Sequence, residues 1–269
     1  MLISNIEELY FSQSAFAVYQ KCPLRFRYRY LDGLFWPQDW GGSEDQKELI
    51  EMGSKFHRLA QRYYARGEEI AEEILSGQLR LWFDKLKEFK PFNSFDDFYP
   101  EQEMRINKGG MKLLVKFDLL FSSKNEDKLI IYDWKTNKQP LSAQNLQDNI
   151  QTRLYLYVLY QAGEKYYQYQ TENRPPFGIV YWNPRFPDDK VTITYNNKKF
   201  QQDERYFLDL VQEIKGLDYH QFTATEDPAI CKYCEYRPIC HGKKAEFIAV
   251  EEDDLDLNLD WDTIDEIDF

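Results

Sequence analysis

The cysteines constrain the folding of this chain more than any other feature. Cys231, Cys234 and Cys240 crowd into the pattern C-x2-C-x5-C, while Cys22, followed by Pro23, stands about two hundred positions upstream. Three thiols so close together point to metal, because zinc and iron–sulfur centres both draw on such spacings. A secreted disulfide framework would use a denser set in a shorter chain. Only the fold can bring Cys22 alongside the other three. A chain that does so must close its first helix onto the end of its folded body.

The spacing of apolar residues predicts the elements between. Helices are expected over residues 11–31, 44–66 and 78–89, the second from Leu49, Met52, Phe56, Leu59 and Tyr63 at every third or fourth position. The period then changes. Short segments rich in aromatic and branched residues near 98–106, 112–121 and 128–134, separated by Gly109-Gly110 and Ser122–Asp127, read as a three-strand meander. A long helix over 143–162, strands near 177–183 and 190–195, and a helix over 199–215 complete an α/β order.

The triplet Asp133-Trp134-Lys135 ends the apolar strand Leu129-Ile130-Ile131-Tyr132. Residues i and i+2 of a strand share a face, so a carboxylate that can hold a cation and an ammonium that can orient a water project together. Asp118 ends the neighbouring segment Leu113–Phe117 and can supply a second carboxylate. His57, in Gly53-Ser-Lys-Phe-His57, is a candidate third ligand. Gln151 and Tyr155 stand at i and i+4 of the long helix, so both tips share one side. Glu101 and Glu103 share one face of the first strand, and Glu103 is kept as a weaker candidate. A D-x-K triplet alone reads more readily as a solvated strand-end ion pair than as a catalytic site.

Taken in order, Gly53…His57, Asp118, Asp133-Trp-Lys135 and Gln151…Tyr155 resemble the RecB-like branch of the PD-(D/E)XK nucleases. The resemblance implies a restriction-endonuclease-like α/β core sheet flanked by helices, in a single domain over 1–248. It implies Mg²⁺ or Mn²⁺ held by His57, Asp118, Asp133 and the Trp134 carbonyl. Asp118, Asp133 and Lys135 would be catalytic, and Gln151 and Tyr155 would position DNA. A subgroup that includes CRISPR-associated RecB-like exonucleases carries a [4Fe–4S] cluster on one cysteine before these motifs and three after, as Cys22, Cys231, Cys234 and Cys240 would be. Zinc on the same four thiolates is the alternative. The cluster would close a loop whose entropy is worth several kcal/mol, by analogy with a disulfide.

The implied substrate is DNA, single-stranded or with free ends, in repair, recombination or CRISPR adaptation. The competing reading is a non-catalytic nucleic-acid-binding or assembly module that keeps fold and cluster. No G-x4-G-K-[ST] loop occurs, so a helicase or CRISPR-adaptation factor would be a separate partner. The net charge of −12 does not oppose DNA binding, because ten of the 46 acids fall in 251–269, which has no Lys or Arg. The remaining body is near neutral and can carry a basic channel, and 249–269 reads as an unstructured acidic tail. No apolar run is long enough for a membrane span, and the opening MLISNIEELYFSQS lacks the pattern of a secretory signal. The expected location is the cytoplasm.

Overall fold

Pro23 decides where the first helix stops. The expected single helix is broken: α1 (Gln13–Lys21) ends at Cys22, whose backbone is extended at φ −162° and ψ 107°. A residue before proline is pushed out of the helical region. The Cys22 sulfur then accepts the Arg25 N–H at 3.4 Å and caps α2 (Pro23–Phe26), which runs into a π turn over Arg27–Leu31. The computed structural model describes residues 6–34, 44–67, 77–123, 128–166, 177–246 and 266–268.

Next come α3 (Glu44–Arg66), α4 (Gly77–Phe89), β1 (Asp97–Lys108), β2 (Met111–Ser123) and β3 (Lys128–Trp134), close to the expected spans. The turn expected at Ser122–Asp127 lies partly outside the described residues. The expected long helix is two, α5 (Ala143–Gln147) and α6 (Ile150–Ala162). The Asn149 side chain accepts the Gln151 N–H at 2.8 Å and starts α6 afresh, a role for which asparagine is favoured. Then follow β4 (Phe177–Trp182), β5 (Val191–Tyr195), α7 (Asn197–Lys215), α8 (Pro228–Lys232), α9 (Arg237–His241) and β6 (Glu266–Asp268). Apart from Glu266–Asp268, the acidic tail lies outside the described residues. No described helix is long and apolar enough to cross a membrane.

The chain divides into two compact units, and α3, β1, β2 and α7 run from one into the other. The unit of residues 51–104 and 115–204 holds strands in the order β5-β4-β3-β2-β1. β3 pairs antiparallel with β2 and parallel with β4, so α5 and α6 form the crossover that a parallel pair requires. β4 is buried along its whole length, whereas β5 alternates buried and exposed positions. Gly178 lets β4 and β5 close up: a Cβ there would lie 2.9 Å from the Ile193 carbonyl oxygen. Phe56, Leu59, Ala60 and Tyr64 of α3 and Trp82, Phe83 and Leu86 of α4 pack with Leu119, Trp134 and Trp182 of the sheet. Because neighbouring strand residues alternate faces, Asp133 turns away from this aromatic core, towards α6.

The unit of residues 1–50, 105–114 and 205–269 is built on stacked aromatics, Phe11, Phe16, Phe26 and Phe222 among them. Phe11 bridges to β2, donating to the Lys112 carbonyl at 2.9 Å and accepting from the Leu114 N–H at 3.0 Å. Arg105–Asn107 of β1 pair in parallel with β6.

Candidate active site

β2 and β3 pair from Ser123 with Lys128 to Leu119 with Tyr132. Just beyond, the Trp134 N–H donates to a side chain, the Asp118 carboxylate, at 2.6 Å. That bond fixes Asp118 at the strand end. On α3, His57 Nδ1 lies 3.3 Å from the other Asp118 oxygen. Glu101 of β1 completes the group: donor atoms of His57, Glu101 and Asp118 all lie within 4.8 Å of one another. Among the described residues this is the one such set of three His, Cys, Asp or Glu side chains.

Glu101 has φ +52°, the one positive φ of a non-glycine residue among those described. This left-handed conformation is costly for a residue with a Cβ. Lys116 Nζ stands 2.9 Å from Glu101 and 3.6 Å from Glu103. Glu103 therefore shares the lysine but stands outside the converging set. Burial and the charge of Asp118 push the Glu101 carboxyl above its ordinary range, with Lys116 opposing. Burial pushes Asp118 up too, but His57, the Trp134 N–H and Lys135 outweigh it and hold its carboxyl below the usual value.

Asp133, Lys135 and Gln151 form a second group. Asp133 is 3% exposed. One of its oxygens lies 3.0 Å from Lys135 Nζ, and the other accepts from Gln151 Nε2 at 3.3 Å. Lys135 Nζ also donates to Gln151 Oε1 at 3.2 Å. Tyr155 stands one turn along α6, accepting from Gln151 at 3.4 Å and edge-on to Phe117. Burial, then the charge of Asp133, pushes its phenol well above the ordinary value. The Trp134 ring belongs to the aromatic core, stacked near Tyr64, so only its backbone faces this chemistry.

The segment after Lys135 is held by residues no motif pointed to. Asn183 Nδ2 donates to the Asn137 carbonyl at 2.9 Å, and Arg185 Nε to the Thr136 carbonyl at 2.9 Å. The Lys135 N–H donates to the Trp182 carbonyl at 2.8 Å. These partners stand more than forty positions apart, and no local signal could have joined them.

All four cysteines line one cavity, with Arg25, Tyr28, Tyr236, Arg237 and His241. Cys22 is buried and Cys240 exposed. Burial, reinforced by Glu235, pushes the Cys234 thiol up to about 12, and burial also raises Cys231 and Cys240. Any metal taken up here must displace protons. Arg25 clamps Glu235 through Nη2 at 2.8 Å and Nε at 3.1 Å, and Arg29 adds a contact at 3.8 Å. The Tyr236 hydroxyl donates to the Leu34 carbonyl at 2.6 Å. These bonds tie the segment around Cys22 to the three later cysteines.

The model of the PD-(D/E)XK nuclease superfamily matches residues 10–241. No curated protein matches the chain. Among solved structures, the protein designated SSO0001 is 20% identical over 88% of each chain, with a TM-score of 0.38. A "Putative exonuclease" from Eubacterium rectale is 13% identical over 93% of this chain and 94% of its own, with a TM-score of 0.45.

Proposed function

The chain belongs to the PD-(D/E)XK nuclease superfamily, and on that premise we propose that it is a Mg²⁺- or Mn²⁺-dependent deoxyribonuclease acting as an exonuclease on single strands or free ends. The observation that carries the reading is the convergence of one imidazole and two carboxylates on donor atoms within 4.8 Å, beside an Asp133–Lys135 pair 3.0 Å apart. The mixed nitrogen and oxygen donors fit a divalent cation. When bound, such a cation lowers the pKa of a coordinated water and neutralises charge building on phosphorus.

The protein's own groups do the rest. His57, Asp118 and Asp133, with the Trp134 carbonyl, would hold the ion. Lys135, fixed between Asp133 and Gln151, orients the attacking water and faces the developing negative charge. Gln151 and Tyr155, both buried on α6, would position DNA indirectly, through the Asp133–Lys135 pair that Gln151 holds. Four thiols around one cavity support a [4Fe–4S] centre on Cys22, Cys231, Cys234 and Cys240. A zinc tetrahedron with bonds of about 2.3 Å would bring the sulfurs within about 4 Å, closer than any three cysteines come among the described residues. Unwinding falls to a separate helicase or CRISPR-adaptation partner.

The test is degradation of single-stranded DNA labelled at the 5′ or the 3′ end, with Mg²⁺, Mn²⁺ or neither. Lys135→Ala and Asp133→Ala are expected to lose at least about a hundredfold in rate while still binding DNA. Wild-type cleavage by either variant would remove the site assignment.

A further inference from the structure

β1 would be the outermost strand of its sheet but for Glu266–Asp268, which pair with it in parallel. We infer that the edge of β1 at Arg105–Asn107 is a strand-docking site for an acidic segment, and that Glu266–Asp268 of the same chain is its occupant. This site is independent of the nuclease reading.

An outermost strand presents a row of N–H and C=O groups with which an extended segment can pair. Here the two sequences match in pattern as well as in backbone. Arg105 and Asn107 are half-buried, and Ile106 between them is fully buried, the alternation of a strand with one covered face. Glu266-Ile267-Asp268 repeats that order of polar, apolar and polar, and the register sets Ile267 opposite Ile106 and Glu266 opposite Arg105. Charge agrees. Residues 105–112 include Arg105, Lys108 and Lys112 and no acid, whereas residues 260–269 include Asp260, Asp262, Asp265, Glu266 and Asp268 and no base. Two of those cations gather over one ring, the Arg105 guanidinium 4.1 Å and Lys112 Nζ 5.5 Å from the centre of Tyr10. Edge and occupant both belong to the unit of residues 1–50, 105–114 and 205–269, so the docking closes within one compact unit. Three paired residues make a weak strand by themselves. Carried on the same chain, the segment meets the edge at an effective concentration of about millimolar order, which sustains a contact that weak. A free peptide must therefore bind loosely, and the intact chain must exclude it.

The test is a fluorescein-labelled peptide of residues 259–269, titrated by anisotropy into full-length wild type and into the full-length double variant Glu266→Pro with Ile267→Pro. The N–H groups of a strand alternate sides, so two consecutive prolines remove one that faces β1 in either phase. The double variant is expected to bind the peptide at least tenfold more tightly than wild type does. A scrambled peptide of the same composition should bind the double variant at least tenfold more weakly than the true sequence. Hydrogen exchange locates the site: in the double variant at least one amide of 105–107 should exchange at least tenfold faster, and saturating peptide should restore its protection. Equal affinity of the two proteins for the peptide overturns the inference. So does a scrambled peptide that binds as well as the true one, which would leave an effect of charge alone, and so does unchanged exchange at 105–107. A wild type that is dimeric at micromolar concentration, beside a monomeric double variant, would assign the segment to the edge of a second copy and overturn its docking within one chain.

Discussion

Glu235 is 5% exposed, lies between Cys234 and Tyr236, and accepts a two-pronged clamp from Arg25 with Arg29 close by. Glu235→Ala would leave two guanidinium groups, with side chains 11% and 6% exposed, lacking their shared carboxylate. Removing one partner of a buried ion pair costs about 3–5 kcal/mol. Both arginines have other contacts, so we expect the lower part of that range, about 3 kcal/mol, or a melting temperature lower by roughly 6–12 °C. Glu235→Gln keeps an acceptor for the Arg25 Nε–H and should cost about half as much. The measurement is thermal and urea unfolding of the reduced, metal-free protein, followed by circular dichroism at low and high salt. Because the pair is buried, salt should change the difference little. A Glu235→Ala protein within about 1 kcal/mol of wild type, or one whose loss disappears in high salt, would show that the clamp is not what joins the cysteine-bearing segments.

With the proposed [4Fe–4S] centre, anaerobically purified protein is expected to be brown, and Cys22→Ser to lose both the colour and the iron; colourless wild-type protein with one stoichiometric zinc would replace the iron–sulfur proposal. Burial raises the phenols of Tyr64, Tyr155 and Tyr195 above their ordinary value near 10, with Asp203 adding to the effect on Tyr195. A raised folded-state pKa means stability that is whole below the unfolded value and falls as pH rises beyond it. Ultraviolet titration should therefore show these phenols ionising only as the protein unfolds above about pH 10; reversible ionisation of all tyrosines in folded protein would contradict their burial. Deleting 251–269 removes ten acids and no bases, so DNA binding should tighten, most of all at low salt. Equal affinities across a salt series would free the tail of any role in DNA binding.

What could be read from the sequence was what depends on near neighbours. The strand ending in Asp133-Trp-Lys135 was legible because side-chain direction alternates every residue, and the Asp133–Lys135 contact follows from that alternation. Gln151 and Tyr155 met because one helical turn separates them. The break at Cys22 was also present locally, in Pro23, although the aromatic and basic run around it suggested a continuous helix. The break at Asn149 was harder, since apolar spacing continues across it and only a side-chain cap restarts the helix.

Tertiary structure decided the rest. Strand alternation put Glu101 and Glu103 on one face, and of the two Glu103 was the candidate; only the backbone at φ +52°, with Lys116, His57 and Asp118 brought in from other elements, sets Glu101 instead among the donors. The clamps of Asn183 and Arg185 on the segment after Lys135, and of Arg25 on Glu235, join residues far apart in the chain. Periodicity and propensity act over a few residues, whereas these contacts exist only once strand pairing and helix packing have paid the entropy of closing long loops.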